Sequence, residues 1–213
     1  LSQTGKPLVV MTVLPMDAED AQTKANSLET LSKLSKLTQS KVVNNLIVVD
    51  NAKLEAIYSN VSQVDFYNVA NKAIVEPIDA FNTLSSMPSP SKPLDPMEFT
   101  KIFLDGEGLS VYGELTVENF EEDTAIAEAI INNLSGNLLA GGFDLKQSKY
   151  GGIVLDDDYP NGIAKQIAYE LMLKSGKPVH VLCIDEKVAG PQHHNDNLPP
   201  SKEKIINFVK CIL

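Results

Sequence analysis

Three pairs of residues in this sequence could do chemistry. Asp50 and Asn51 directly follow an apolar run, LIVV. In open α/β sheets, ligands collect at the carboxyl ends of strands, and an amide exposed there can read a base edge with one donor and one acceptor. A turn or a helix cap would use the same two residues. Tyr67 and Asn71 stand four apart in a stretch that reads as a helix. That spacing puts an aromatic ring and an amide on one side, where the ring can stack a base and the amide can read it. Tyrosine on a helix is more often simply core. Asp95 and Glu98 follow a proline-rich loop at the start of another helical stretch. Two carboxylates placed there can cap the helix and suit its dipole, or they can orient and activate a water.

Other motifs carry less. The run Asp156-Asp157-Asp158 opens a pattern that imitates a calcium loop, but Tyr159 replaces a ligand and Ala168 stands where the closing carboxylate belongs. A solvated strand end or an N-cap explains it better. His193, His194 and Asp196 share a long loop, and adjacent histidines without convergent partners read as solvated, so no metal site is expected. His180 reads as structural. The glycine pairs 141–142 and 151–152 are turns rather than phosphate loops, because neither sits between a strand and a helix.

These residues need elements to hold them. Val9–Leu14 (VVMTVL) reads as a buried parallel strand ending at Pro15. Asp17 is the expected N-cap of a helix over 18–37, with Glu19 and Asp20 in its first turn and Ala21, Ala25, Leu28, Leu31 and Leu34 along its apolar face. A second buried strand spans 45–50 and a short helix 52–58. The longest helical candidate runs over 64–84, with an apolar face of Val64, Phe66, Val69, Ala70, Ala73 and Ile74 and a kink at Pro77. Prolines at 88, 90, 93 and 96 then break the pattern and mark a domain boundary. Beyond it the expectation is a short helix at 97–104, a strand at 109–117, a helix from 123 or 124 to about 134, a strand at 151–156, a helix at 162–174 and a strand at 179–185. Residues 204–213 fit either a helix or a strand. Alternating strands and helices imply an α/β fold.

The chain has 213 residues, 43% of them hydrophobic and 22% charged, with a formal net charge of −10. That supports one large or two small cores. The acidic balance argues against direct binding of nucleic acid or of an anionic membrane, since phosphate neutralisation needs basic residues. There is no arginine, so this segment supplies no arginine finger. Cys183 and Cys211 each lie in an apolar run and read as reduced core cysteines of a cytosolic protein. No apolar stretch is long enough for a membrane helix, and Leu1–Lys6 does not read as a signal peptide.

Taken in order, the three pairs resemble the pattern of the tubulin/FtsZ superfamily. VVMTVLPMDAEDAQTKANSLETLSKLSK looks like that family's strand, loop and helix beyond the phosphate-binding region. VVNNLIVVDNAKL resembles the next strand and the asparagine turn that contacts guanine. VDFYNVANKAI is similar to the central helix. LDPMEFTKIF resembles the acidic catalytic loop and helix start. The resemblance implies residues 1–87 as the remainder of a nucleotide-binding domain with the central helix at 64–84, and 88–213 as the α/β activation domain. It implies Glu19 at ribose, Asn51 and Asn71 at guanine, Tyr67 stacked on the base, and Asp95 with Glu98 acting on the adjacent subunit's nucleotide.

The cofactor implied is GTP or GDP, with magnesium, in the intact protein, and nothing is expected to bind this segment tightly. The partners implied are further copies in a head-to-tail filament and a DNA-bound adaptor, in the bacterial cytoplasm. Thr23 stands where cell-division members carry arginine, and the second acid is Glu98 rather than aspartate. Both departures point towards the plasmid- and phage-segregation tubulins. The family's GGGTGTG loop is not in this sequence, so the segment alone is expected to be inactive. Two other classes compete: a non-catalytic filament regulator of the same fold, and an unrelated α/β domain with a small-molecule pocket.

Overall fold

Two apolar runs set the first part of the sheet. Val9–Leu14 forms β1 and Asn45–Asp50 forms β2, paired in parallel from Val9↔Asn45 to Leu14↔Asp50. The Asn44 side chain fixes that register, because its Oδ1 accepts from the Leu8 N–H at 2.8 Å while the Asn44 N–H donates to the Leu8 carbonyl at 2.8 Å. The structure is a computed structural model and describes residues 5–85, 109–117, 128–129, 132–133, 136–141, 148–156, 180–184 and 203–211.

Between the strands lies α1, Ala21–Gln39. Its N-cap is Asp20 and not Asp17. The Asp20 carboxylate accepts from the N–H groups of Gln22 at 2.8 Å and Thr23 at 2.9 Å, which satisfies two donors the helix leaves free. The helix therefore starts three residues later than the expected 18, and Glu19 lies ahead of it.

The inward face of α1 also differs from the expected one. Lys24, Ser27, Leu31, Leu34, Ser35 and Thr38 turn towards the sheet, while Ala21, Ala25 and Leu28 are exposed. Thr38 can be fully buried because its hydroxyl donates to the Leu34 carbonyl at 2.9 Å. Among the described elements the helix packs chiefly on β1 and β2, and Leu28 and Leu37 stay exposed.

Asn51–Ile57 forms α2 and Gln63–Ser85 forms α3, which continues through the buried Pro77. Phe66, Val69, Ala70, Ala73 and Ile74 face inwards at helical spacing, as their periodicity implies. Val64 does not, and is 87% exposed.

The sheet continues through Leu109–Val117 (β3), Ser148–Asp156 (β4), His180–Ile184 (β5) and Glu203–Cys211 (β6), in spatial order β1-β2-β3-β6-β4-β5. β6 runs antiparallel to β3 and β4, and β5 is parallel to β4. The ambiguous tail is thus a strand. It lies in the middle of the sheet between two partners, which explains its β-rich composition. The helical reading of 123–134 meets helical residues at 128, 129, 132 and 133. The expected helices at 97–104 and 162–174, the proline loop and the histidine loop lie outside the described residues.

β2 and β3 pair only at Leu46↔Leu109 and Ile47↔Ser110. Above that point the chain around Leu139 fills the gap. The Asp50 N–H donates to the Leu139 carbonyl at 2.7 Å, and the Leu139 N–H donates to the Tyr112 carbonyl at 2.9 Å. Gly113 makes this approach possible, because a Cβ there would sit 2.9 Å from the Asn137 carbonyl oxygen and 3.3 Å from the Leu138 Cα. The main core lies beneath: Ile47, Val49, Leu54, Phe66, Ala70, Tyr112 and Leu139. The Tyr112 hydroxyl donates to the Ile74 carbonyl, tying β3 to α3 one turn before Pro77.

Candidate functional site

The carboxyl ends of β1 and β2 point to the same end of the sheet, since the strands are parallel. After β1 the chain turns at Met16–Glu19, closed by the Glu19 N–H donating to the Met16 carbonyl at 3.2 Å. Glu19 is exposed in this turn. Asp20 beside it is committed to capping. Hydrogen bonds from the Thr23 hydroxyl and backbone hold its carboxyl below the ordinary 3.8. Thr23 therefore serves the cap rather than a ligand. Lys24 donates to the Asp17 carbonyl and lies 4.0 Å from its carboxylate, an exposed pair of little energetic weight.

After β2, Asp50 is the N-cap of α2 and accepts from the Ala52 N–H at 3.0 Å. Capping thus falls to Asp50, and Asn51 occupies the first helical position, half-buried. This separates two roles that the sequence left joined. Leu54, fully buried one turn on, anchors α2 against the core and so fixes where Asn51 stands.

Tyr67 is 60% exposed and packs edge-on against buried Phe66, with ring centroids 5.6 Å apart and planes at 72°. One residue is the anchor and the next is presented. Asn71 shares the exposed side of α3 with Tyr67. A cavity of about 590 Å³ opens beside the ring, lined by Met16, Glu55, Tyr58, Ser59, Val61, Gln63, Phe66 and Tyr67. That size and the mix of aromatic and polar lining suit a small planar ligand. Tyr67 lines it, whereas Asn51 and Asn71 do not. Glu19 is also absent from the lining, although Met16 of the same turn is present.

A second cavity of about 310 Å³ lies between α3 and β3, lined by Tyr58, Val69, Lys72, Ala73, Glu76 and Glu114. Tyr58 lines both. Burial first, and then the charges of Glu114 and Glu76, push its hydroxyl above the ordinary 10.0.

Asp95 and Glu98 lie outside the described residues, as do His193, His194 and Asp196. Sequence reasoning missed Met16, Glu55 and Tyr58. The rule that singled out Asp50 and Asn51, attention to the residues just past a strand, would have found Met16 after β1 as well. Glu55 and Tyr58 are three apart at the end of α2, the spacing that puts two side chains on one side.

No family model matches this chain, and no curated protein matches it. Solved structures do. A GTPγS-form protofilament of the Bacillus thuringiensis serovar israelensis TubZ superposes with a TM-score of 0.74 at 14% identity, covering 96% of this chain and 53% of that one. The GTPγS-bound protofilament of CetZ2 from Haloferax volcanii gives 0.70 at 15%, with 96% and 55% covered. The empty FtsZ dimer of M. jannaschii gives 0.68 at 14%, with 98% and 55% covered. The chain spans about half the length of the solved structures it matches. The likeness is one of fold: this chain folds as the TubZ, CetZ and FtsZ structures do over the part that it covers.

Proposed function

We propose that this chain is one half of a polymerising GTPase of the tubulin/FtsZ type. In this reading it supplies the guanine-contacting wall to its own subunit and an acidic loop to the neighbouring subunit's nucleotide. The observation that carries the reading is the coincidence of fold and motif: nearly all of the chain superposes on nucleotide-bound protofilaments, and Tyr67 stands exposed beside a cavity past the ends of two parallel strands.

The Tyr67 ring stacks the base, and Asn51 and Asn71 read its edge. Glu19, exposed in the turn after β1, reaches the ribose. Asp95 and Glu98 orient the attacking water at the next subunit. Residues 1–87 belong to the nucleotide-binding domain and 88–213 to the activation domain, a division that the two-pair junction of β2 and β3 favours. GTP and GDP, with magnesium, are the ligands of the intact protein. Magnesium would offset phosphate charge, and this chain's residues would position the base and the water.

Head-to-tail assembly fits the protofilaments among the matched structures. No described helix is long and apolar enough to cross a membrane. Filament-based plasmid segregation in the cytoplasm, working through a DNA-binding adaptor, is the role we favour over cell division. Thr23 and Glu98 are the departures that favour it.

The isolated chain should not hydrolyse GTP, because it carries no glycine-rich phosphate loop. Turnover above buffer by the purified chain would overturn the division of labour. In a parent protein carrying both halves, Asp95→Ala or Glu98→Ala should stop hydrolysis while filaments still form. Undiminished turnover in both variants would remove the acidic pair from the mechanism.

A further inference from the structure

Glu55 stands where helix stability disfavours an acid. It lies in the last turn of α2, and a carboxylate there opposes the helix dipole. The side chain is exposed, and among the described residues no hydrogen bond or ion pair holds its carboxylate. Two acids nearby are committed to local structure instead: Asp50 caps α2, and Asp65 accepts from the Ser62 hydroxyl at 2.6 Å.

Glu55 and Tyr67 line the same cavity of about 590 Å³. Of the described residues around that cavity, Glu55 is the one that carries a charge, while Tyr58, Phe66 and Tyr67 supply aromatic rings. Glu55 also follows Asn51 by four residues, on the same side of α2. A ring that can stack a purine and a carboxylate that can meet the purine's edge thus share one space.

We propose that Glu55 selects guanine over adenine in this cavity, by accepting the parallel hydrogen bonds that guanine donates from N1–H and its 2-amino group. The proposal rests on the reading of the cavity as the base site. An ionised carboxylate offers acceptors only, on two oxygens side by side, and so matches two adjacent donors. Adenine sets a bare ring nitrogen where guanine carries N1–H, and a plain C–H where guanine carries the amine. The carboxylate then faces a lone pair and is left unmatched, which is how a polar site rejects a close analogue. Asn51 and Asn71 cannot make this distinction alone. An amide holds one donor group and one acceptor, and it serves either purine by turning over. Neither asparagine lines the cavity, whereas Glu55 does.

Three nucleotides and one substitution test it. GDP, ADP and inosine diphosphate, which keeps N1–H but lacks the 2-amino group, are each titrated into the purified chain and into Glu55→Gln, with the Tyr67 ring resonances as the readout. In the unaltered chain, affinity should fall about tenfold from GDP to inosine diphosphate and about tenfold again to ADP. In Glu55→Gln, GDP and inosine diphosphate should come within about twofold of each other, because one acceptor has been lost. ADP should bind that variant more tightly than it binds the parent, since the new amide can accept from the 6-amino group while donating to N1. A merely structural role for Glu55 would weaken all three nucleotides alike. That result, or unchanged ratios among them, would overturn the proposal and leave the stacking role of Tyr67 standing. If GDP leaves the Tyr67 ring unperturbed at every concentration, the base-site reading itself falls, and the role of Glu55 with it.

Discussion

β1 and β2 are adjacent, parallel and equally apolar, yet they live in different environments. Leu46 to Val49 of β2 are buried, whereas β1 alternates between half-buried and exposed along its length. Both strands read in sequence as buried. The difference comes from what lies around each. β2 has strands on both sides and lies beside α2, α3, β3 and the chain around Leu139, while β1 has one neighbouring strand among the described residues. An apolar run records that both faces are meant to be covered. It does not record whether the cover lies in the same segment.

Substitutions at the two places should differ sharply. Leu54→Ala, beneath β2 and fully buried, should cost about 2–5 kcal/mol in urea unfolding, because it removes packed atoms and leaves a cavity. Val13→Ala in β1 should cost less than about 1 kcal/mol, since much of that side chain is already in water. Equal costs would erase the contrast between the strands.

Gly113→Ala should come next, at about 1–3 kcal/mol, because the added methyl meets backbone rather than a yielding side chain. Its effect should extend to Asp50 amide exchange, which depends on the Leu139 bridge. A neutral Gly113→Ala would mean that the bridge can shift.

Tyr112→Phe should cost about 1 kcal/mol through loss of the hydroxyl's bond to the Ile74 carbonyl. Burial raises the pKa of Tyr112, and Tyr58 is raised as well. A group whose folded pKa lies above its unfolded value of 10.0 contributes stability that is complete below that pH and is lost as pH rises beyond it. Stability should therefore fall above pH 10.0, and Tyr112→Phe should flatten that fall. An unaltered alkaline limb would shift the effect to other groups.

Asp20→Ala should have the smallest effect, confined to α1. The depressed Asp20 pKa means that its contribution is present above 3.8 and disappears as pH drops through the lower folded value. Far-ultraviolet dichroism should show a modest loss of helix in the variant at neutral pH, converging with the parent in acid. No difference at neutral pH would move the cap elsewhere.

The sequence was most legible where local chemistry and tertiary contacts agree. The period of Phe66, Ala70 and Ala73 identified the buried face of α3, and LIVV identified β2. It was less legible where a residue type serves two positions. Asp17 and Asp20 are both competent caps, and only the path of the chain after Met16 selects the second. Residues 204–213 carry both periods, and the choice is made by β3 and β4, both far away in sequence. At the candidate site, the four-residue spacing placed Tyr67 and Asn71 correctly on one exposed side. It could not show that the cavity beside Tyr67 is closed by Glu55 and Tyr58, because that depends on how α2 turns into α3.

The most direct test of the guanine wall is an NMR titration of the purified chain with GDP and, separately, with ADP. GDP should bind weakly and perturb the Tyr67 ring and the side-chain amides of Asn51 and Asn71. ADP should leave them in place, and Tyr67→Ala should weaken the GDP response. Equal perturbation by both nucleotides, or GDP shifts that avoid these three residues, would contradict the account.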